Sequence, residues 1–336
     1  MPEDRGILVG IDIGGTSVKC LAYDSSAGIF SPLHKMPMEK CVTAKEEVDR
    51  NIIHLIRQML RIEGLADRRL EGIGVSSAAL FDAKTGDLVR WPNNPLWNGF
   101  PLQSYLSAAF HTNVVMEDDA NACTIAEWKY GAGRGCTDMA YLTISSGIGC
   151  GLVLDNGLYK GVHGWAGELG HVRIPFADEL CTCGRKGCLQ AVGSGWALYK
   201  KAVQVNNAQP IPLVINDLEE VVALAKTEVP WAVELFQDAG SAIARAIENL
   251  VLLLDIETFV LGGGVMNAEE IVLQPIAEHL DRLLAGIGRT ANVKTGLLGD
   301  KGGAIGGVCL FNRPIEQLFN EKETSCHQWA ESELPG

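Results

Sequence analysis

One histidine and three cysteines stand close enough in the chain to hold a metal ion. They are His171 in Gly167-Glu168-Leu169-Gly170-His171, and Cys181, Cys183 and Cys188 in Cys181-Thr182-Cys183-Gly184-Arg185-Lys186-Gly187-Cys188, all within 18 residues. An imidazole and three thiolates in a glycine-rich stretch suit a tetrahedral Zn²⁺. Four protein ligands leave no open position, so the metal would be structural. Reduced surface thiols beside a core histidine are the alternative. A metal there would pin the loop carrying Glu168 and His171, and the second ring nitrogen of His171 would remain available to a hydroxyl or a neighbouring side chain.

A second group is acidic. Glu117-Asp118-Asp119-Ala120-Asn121 sets three carboxylates at a strand-to-helix junction. Phosphoryl transfer to a hydroxyl needs positioning, charge neutralisation and a base to take the proton, and Asp119 is the candidate base. Helix N-capping explains an aspartate here equally well, and the two roles are compatible.

A third group is built of glycines and hydroxyls. Asp12-Ile13-Gly14-Gly15-Thr16 lies between two apolar runs, with Lys19 just beyond; a backbone turn there can bring N–H groups up to phosphate oxygens, with Asp12 near Mg²⁺ through water. The segment from Thr143 to Gly151 offers Thr143, Ser145, Ser146, Gly147 and Gly149, and Gly262-Gly263-Gly264 follows an apolar run and could lie flat against an adenine. Each alone is equally an ordinary turn. The order of the three is the informative part, and neither a GxxxxGK[ST] nor a GxGxxG strand–helix pattern accounts for it.

These groups need elements to hold them. The pattern predicts strands over 7–13, 17–23, 70–75 and 114–116, the 70–75 strand ending in the small-residue run Ser76-Ser77-Ala78-Ala79. It predicts helices over 48–62 and 120–130, and a strand–turn–strand unit at 139–154 whose turn covers 145–151. Asp155-Asn156-Gly157 predicts a hairpin turn. Further on come a long amphipathic helix over 231–254, a strand at 259–261, a helix around 269–284 and a last helix over 304–311. The units 7–23 and 139–154 look alike, a weak internal duplication.

The chain has 336 residues, enough for two domains, with 47% hydrophobic and 21% charged residues, a folding composition. A net charge of −13 argues against nucleic acid or an anionic membrane as the main partner. No signal segment and no run of about 20 apolar residues is apparent, so a cytoplasmic enzyme with ten reduced or metal-bound cysteines is expected.

With these residues collected, the sequence resembles the ROK family of sugar kinases and related repressors over about residues 7–311. The most specific piece is ExGH at 168–171 followed by CxCGxxGC at 181–188. DIGGT at 12–16, DDANA at 118–122, SSGIGCG at 145–151, LGGGV at 261–265 and LGDKGGAIGG at 298–307 support it. The resemblance implies an α/β fold of the actin-like ATPase (ribonuclease H-like) type, duplicated into two domains with an active-site cleft between them. The expected domains are 1–120 with a C-terminal helix at about 305–320, and 121–304 with the zinc site; 322–336 is expected to be a flexible tail. It further implies ATP with Mg²⁺, a structural zinc on His171, Cys181, Cys183 and Cys188, Asp119 as general base, and a homodimer or higher homo-oligomer. Sugar contacts are implied for Asn93 in WPNNPLWNG, Asp118, Asp119, Glu168, His171 and Gln190. Phosphate and nucleotide contacts are implied for Asp12, Gly14, Gly15, Thr16, Lys19, Thr143, Ser146, Gly147, Gly149, Gly262, Gly263 and Gly264.

The sequence departs from the family pattern at four places. Asp118 stands where Asn is usual, Gln190 where Glu is usual, Ser76-Ser77 where Pro-Gly is usual, and Ser145-Ser146-Gly147 where Gly-Thr-Gly is usual. The expected activity is transfer of the ATP γ-phosphate to a hexose hydroxyl, O6, with a glucose-type hexose first and N-acetylmannosamine second. A sugar sensor without catalysis and a filament-forming actin-like protein are the competing classes. With DIGGT starting at residue 12, an N-terminal helix-turn-helix of the repressor kind is not expected.

Overall fold

Ile7–Ile13 is an apolar run with β-branched residues at four of its seven positions, and it forms the fully engaged strand β1. In the computed structural model, which describes residues 6–311 apart from 83, 92, 93, 176 and 269, the chain divides into two units. Met1–Asp118 with Gly307–Gly336 make the first and Asp119–Gly306 the second. Asn93, Glu269, residues 312–320 of the expected last helix and the expected tail 322–336 lie outside the described residues.

In the first unit β1 turns through Gly14-Gly15-Thr16 into β2 (Ser17–Asp24), closed by the Gly14 N–H on the Ser17 carbonyl at 3.0 Å. Short strands β3 (Ile29–Phe30) and β4 (His34–Pro37) edge β2. One helical run follows: α1 (Ala44–Glu47), a wider π-turn over Val48–Ile53, and α2 (His54–Ile62), capped at its start by Thr43. Its buried stripe, with Val48, Ile52, Leu55, Ile56 and Met59, packs in one core with Val9, Ile11 and Ile13. Next come β5 (Leu70–Ser77), the hairpin β6 (Leu80–Phe81) and β7 (Leu88–Arg90), α3 (Leu102–Phe110) and β8 (Asn113–Asp118). The main sheet runs β3-β2-β1-β5-β8, with β1, β5 and β8 parallel. The strand expected over 70–75 runs on through Ser76 and Ser77. They are wholly buried, paired with Asp12 and Ile13 on one side and Glu117 and Asp118 on the other.

The second unit repeats the scheme. After α4 (Asp119–Tyr130), strand β9 (Met139–Ile144) turns into β10 (Ile148–Leu154), which turns into β11 (Gly157–Tyr159). Asp155 and Asn156, both at positive φ (51° and 59°), make the two-residue turn expected at this position. Helices α5 (Leu189–Gly193), α6 (Gly195–Asn207), α7 (Leu218–Lys226) and α8 (Pro230–Leu254) precede β12 (Thr258–Gly262), α9 (Glu270–Ala285) and β13 (Asn292–Thr295). The sheet runs β11-β10-β9-β12-β13: an antiparallel hairpin continued by parallel strands, as in the first unit.

The last helix, α10, spans Gly302–Cys309, starting earlier than expected, and closes with tight turns to Leu310 and Phe311. The chain passes back to the first unit at Gly307, inside this helix. There Gly307 lies directly against Gly74 of β5, so close that a methyl on Gly74 would overlap the Gly307 backbone. No helix among the described residues is long and apolar enough to cross a membrane.

Candidate functional site

In the first unit, strand register brings the acidic candidates to one end of the sheet. Asp12, Ser76 and Glu117 stand side by side across β1, β5 and β8, and Ile13, Ser77 and Asp118 form the next row. Alternation puts the first row on one face and the second on the other. The Asp12 carboxylate is bracketed by Lys19 Nζ at 3.5 Å, its cross-strand partner on β2, and by Ser76 Oγ, which donates at 3.4 Å. Gly14 to Thr16 form the hairpin turn immediately beyond.

Asp119 opens α4, and its Oδ1 accepts the Ala120 N–H at 2.8 Å.

In the second unit the candidates gather around the start of β10. The expected seven-residue turn is shorter: Ser145-Ser146-Gly147 alone turns the chain, closed by the Ser145 N–H on the Gly147 carbonyl at 2.9 Å, and Ile148–Leu154 is strand. Gly149 is thus inside β10, paired with Thr143, and its missing side chain gives room to Ala120 of α4; an added Cβ would stand 3.0 Å from that methyl. The Gly195 N–H donates to the Ser145 carbonyl at 2.8 Å and holds the turn to the start of α6. Gly262, the last residue of β12, lies opposite Thr143 and packs on the Tyr141 ring, which leaves no room for a side chain there. Gly263 sits at φ +92° against the Ile144 backbone, whereas Gly264 has open space on its side-chain side, with Ser145 Oγ at 4.0 Å from an added Cβ.

The loop Gly167–His171 lies over the same strand start, since Gly167 packs on the Cys150 carbonyl and Gly170 on the Ile148 carbonyl. Downstream, the Leu189 N–H donates to the Val172 carbonyl at 2.9 Å, and Arg173 pairs with Cys188. That pairing sets His171 beside the cysteines. Its Nδ1 is 3.7 Å from Cys181 Sγ, and Cys183 Sγ is 3.7 Å from Cys188 Sγ. All four ligand atoms lie within 4.8 Å of one another. A tetrahedron with metal–sulfur bonds of about 2.3 Å has edges of about 3.8 Å, close to the two 3.7 Å separations, so the set is of a size to close on zinc. The other ring nitrogen, Nε2, faces the Glu168 carboxylate at 3.9 Å. Hydrogen bonding from Arg185 pulls the Cys183 thiol down to about 6, while burial pushes Cys188 up to about 12.

The ROK family model matches residues 8–313, nearly the whole chain. The chain belongs to the ROK family. A glucokinase of Streptomyces coelicolor is 29% identical over 322 residues, covering 92% of this chain and 98% of its own. The crystal structure of a ROK family glucokinase from Streptomyces griseus in complex with glucose and AMPPNP is 30% identical, covers 91% of this chain and 99% of its own, and superposes with a TM-score of 0.76. A ROK hexokinase structure from Thermus thermophilus gives 30% identity, coverage of 90% and 96%, and a TM-score of 0.76. The fold is the α/β actin-like ATPase fold of this family, and the two like sheets are its duplication.

Two networks around these ROK motifs are not visible in the motifs themselves. Gln190, on α5, places Oε1 on the Ile148 N–H at 3.2 Å and Nε2 on Thr182 Oγ1 at 3.2 Å. Glu47, only 1% exposed, accepts the Cys41 N–H at 3.0 Å and, through one oxygen, Asn94 Nδ2 and Trp97 Nε1 at 2.6 Å each. Burial pushes the Glu47 carboxyl up, but these three donors outweigh it and hold it below the usual carboxylate range. The anchored segment is the WPNNPLWNG stretch, in which Trp91 and Trp97 meet edge to face at 5.1 Å. A signal for Glu47 was present: positions 44, 48, 52, 55 and 59 are the apolar stripe, and residues 47 and 51 fall on it while being polar.

Proposed function

We propose that the chain is an ATP-dependent hexose kinase of glucose type, transferring the γ-phosphate of ATP to the sugar O6. The observation that carries the reading is the divided imidazole of His171. One ring nitrogen joins the three-cysteine cluster and the other faces Glu168, so a bound zinc would hold an imidazole–carboxylate pair in fixed orientation, suited to hydroxyls. The likeness to proteins named glucokinase, one of them crystallised with glucose and AMPPNP, supports glucose over other hexoses.

In this reading Asp119 takes the proton from the attacking hydroxyl as its oxygen bonds to the γ-phosphorus. The bond from that phosphorus to the β–γ bridging oxygen breaks, and ADP leaves with the electron pair. Glu168 and His171 Nε2 orient sugar hydroxyls, together with Asn93 and Asp118. The Ser145–Gly147 turn offers N–H and hydroxyl donors to phosphate, joined by Thr143, Gly14, Gly15, Thr16 and Lys19, and the open side of Gly264 leaves room for the nucleotide. Mg²⁺ accompanying ATP would neutralise phosphate charge, and Asp12 is the carboxylate that would face it. Zinc would be structural. A cytoplasmic location, where ATP is supplied, and homodimer assembly belong to the same proposal, the latter to be checked by light scattering.

A panel of glucose, mannose, N-acetylmannosamine and N-acetylglucosamine in a coupled ADP-release assay tests it. Glucose turnover at the highest kcat/KM is expected. Turnover of N-acetylmannosamine alone would reassign the substrate, and no turnover with any sugar would overturn the kinase reading.

A further inference from the structure

Gln190 stands two residues beyond Cys188, and both ends of its amide are engaged inside the second unit. The hydrogen-bond partners fix which end is which. The Ile148 backbone N–H can only donate, so it must meet the amide oxygen, at 3.2 Å. The amide nitrogen is then the atom facing Thr182 Oγ1 at 3.2 Å, and because it only donates, the Thr182 hydroxyl must accept. The hydroxyl's own proton is thereby turned away from Gln190. The sulfur of Cys181 lies 4.0 Å from Thr182 Oγ1, within reach of a hydrogen bond to sulfur. The result is a one-way chain: Ile148 N–H to Gln190, Gln190 to Thr182, Thr182 to Cys181.

We propose that Gln190 is a positioning residue that aims the Thr182 hydroxyl at the Cys181 sulfur, and so ties the metal cluster to the Ser145–Gly147 turn. The turn is fitted to this amide. Gly147 faces Gln190 Oε1, and a Cβ at position 147 would stand 2.8 Å from that oxygen. A glutamate at position 190 would accept from Ile148 equally well, but it would also accept from Thr182 and draw the hydroxyl proton off Cys181. Glutamine therefore changes the direction of the chain and not its reach. Partners of this kind, one bond removed from a metal, commonly alter metal affinity ~10–100-fold. Because the same amide holds the residue after the turn, ligand binding at the turn and metal binding at the cluster are linked through it, each shifting the other's affinity by the same factor. This linkage, unlike the metal support, rests on the kinase reading for its nucleotide.

Zinc release from the full-length holoprotein to a chromophoric chelator tests the proposal, followed with and without saturating AMPPNP. Gln190→Ala, Gln190→Glu and Thr182→Val are each expected to speed release ~10-fold. The double variant Gln190→Ala/Thr182→Val should be no faster than either single one, since all interrupt one chain. Thr182 is on an exposed loop, so Thr182→Val keeps the test sound should Gln190→Ala fail to fold. AMPPNP is expected to slow release from the wild type ~5-fold or more and to lose that effect in Gln190→Ala. Release rates unchanged by Gln190→Glu and Thr182→Val, or effects that add in the double variant, would overturn the role of the amide. Equal AMPPNP effects in wild type and Gln190→Ala would overturn the linkage. Failure of AMPPNP to bind, measured separately by calorimetry, would overturn the kinase reading and the linkage with it, while the zinc-release comparison still decides the amide's role.

Discussion

The two sheets share one plan but end in opposite chemistry. In each, an antiparallel hairpin is continued by parallel strands, β2-β1-β5-β8 in the first unit and β10-β9-β12-β13 in the second. Across the first, the row at the strand ends reads Asp12, Ser76, Glu117; across the second, the matching pair is Thr143 and Gly262. One end collects carboxylates, suited to protons and cations. The other collects hydroxyls, glycines and backbone N–H groups, suited to anions. A duplicated backbone thus leaves the chemistry of each sheet to a few residues at the ends of its strands.

The comparison can be broken most sharply at Asp119, which follows β8. Asp119→Asn keeps the shape and removes the base, and a fall in kcat of ~10²–10⁴ is expected with sugar and nucleotide affinity changed only a few-fold. Loss of binding in step with kcat, measured by calorimetry beside steady-state rates, would assign the residue to positioning alone.

Next in size is the buried carboxylate that each unit uses to fasten a loop. In the second unit Glu127, 2% exposed, accepts N–H groups of Ala132 at 2.8 Å, Leu297 at 3.1 Å and Leu298 at 2.9 Å. Glu127→Gln sets an amide NH₂ against backbone donors and should cost ~2–4 kcal/mol in urea unfolding. In the first unit Glu47→Gln should cost ~1–3 kcal/mol at neutral pH. The Glu47 carboxyl lies below its ordinary value in the folded chain, so its contribution is present above the unfolded pKa and is lost as pH falls through the folded one. The gap between wild type and Glu47→Gln should therefore narrow as pH drops below ~4. A gap independent of pH would mean that packing, and not charge, anchors the loop. The smallest effect is expected at Lys19, whose ion pair with Asp12 is partly solvated. Lys19→Met should alter stability by less than ~1 kcal/mol while weakening ATP binding, and the reverse pattern would make the pair structural.

Most of the fold was legible because it is written in short-range patterns. The β1 hairpin, the Asp155-Asn156 turn and the α8 helix each follow from local residue choice, and the metal cluster follows from spacing alone. What was not legible depended on contacts distant in sequence. Gly149 was read as part of a phosphate turn and Gly262 as part of an adenine surface; their close packing on Ala120 and Tyr141 could not be read from the sequence. Ser76 and Ser77 looked like the end of a strand, but they pair on both sides because neighbouring strands run past them. Gln190 could be named from its place in a motif, yet its hydrogen bonds join residues 42 positions apart. Glu47 broke its helix's apolar stripe, and the partners that explain it, Asn94 and Trp97, lie 47 and 50 residues away.

The clasp of Trp97 on Glu47 also makes the chain its own spectrometer. An indole proton given to a buried carboxylate resonates far downfield and exchanges slowly with water. Asn94 shares the same oxygen, so that single signal among seven tryptophans follows the state of the whole WPNNPLWNG segment. Adding one sugar at a time and watching this line would record whether the segment tightens, loosens or ignores each of them, without label or turnover.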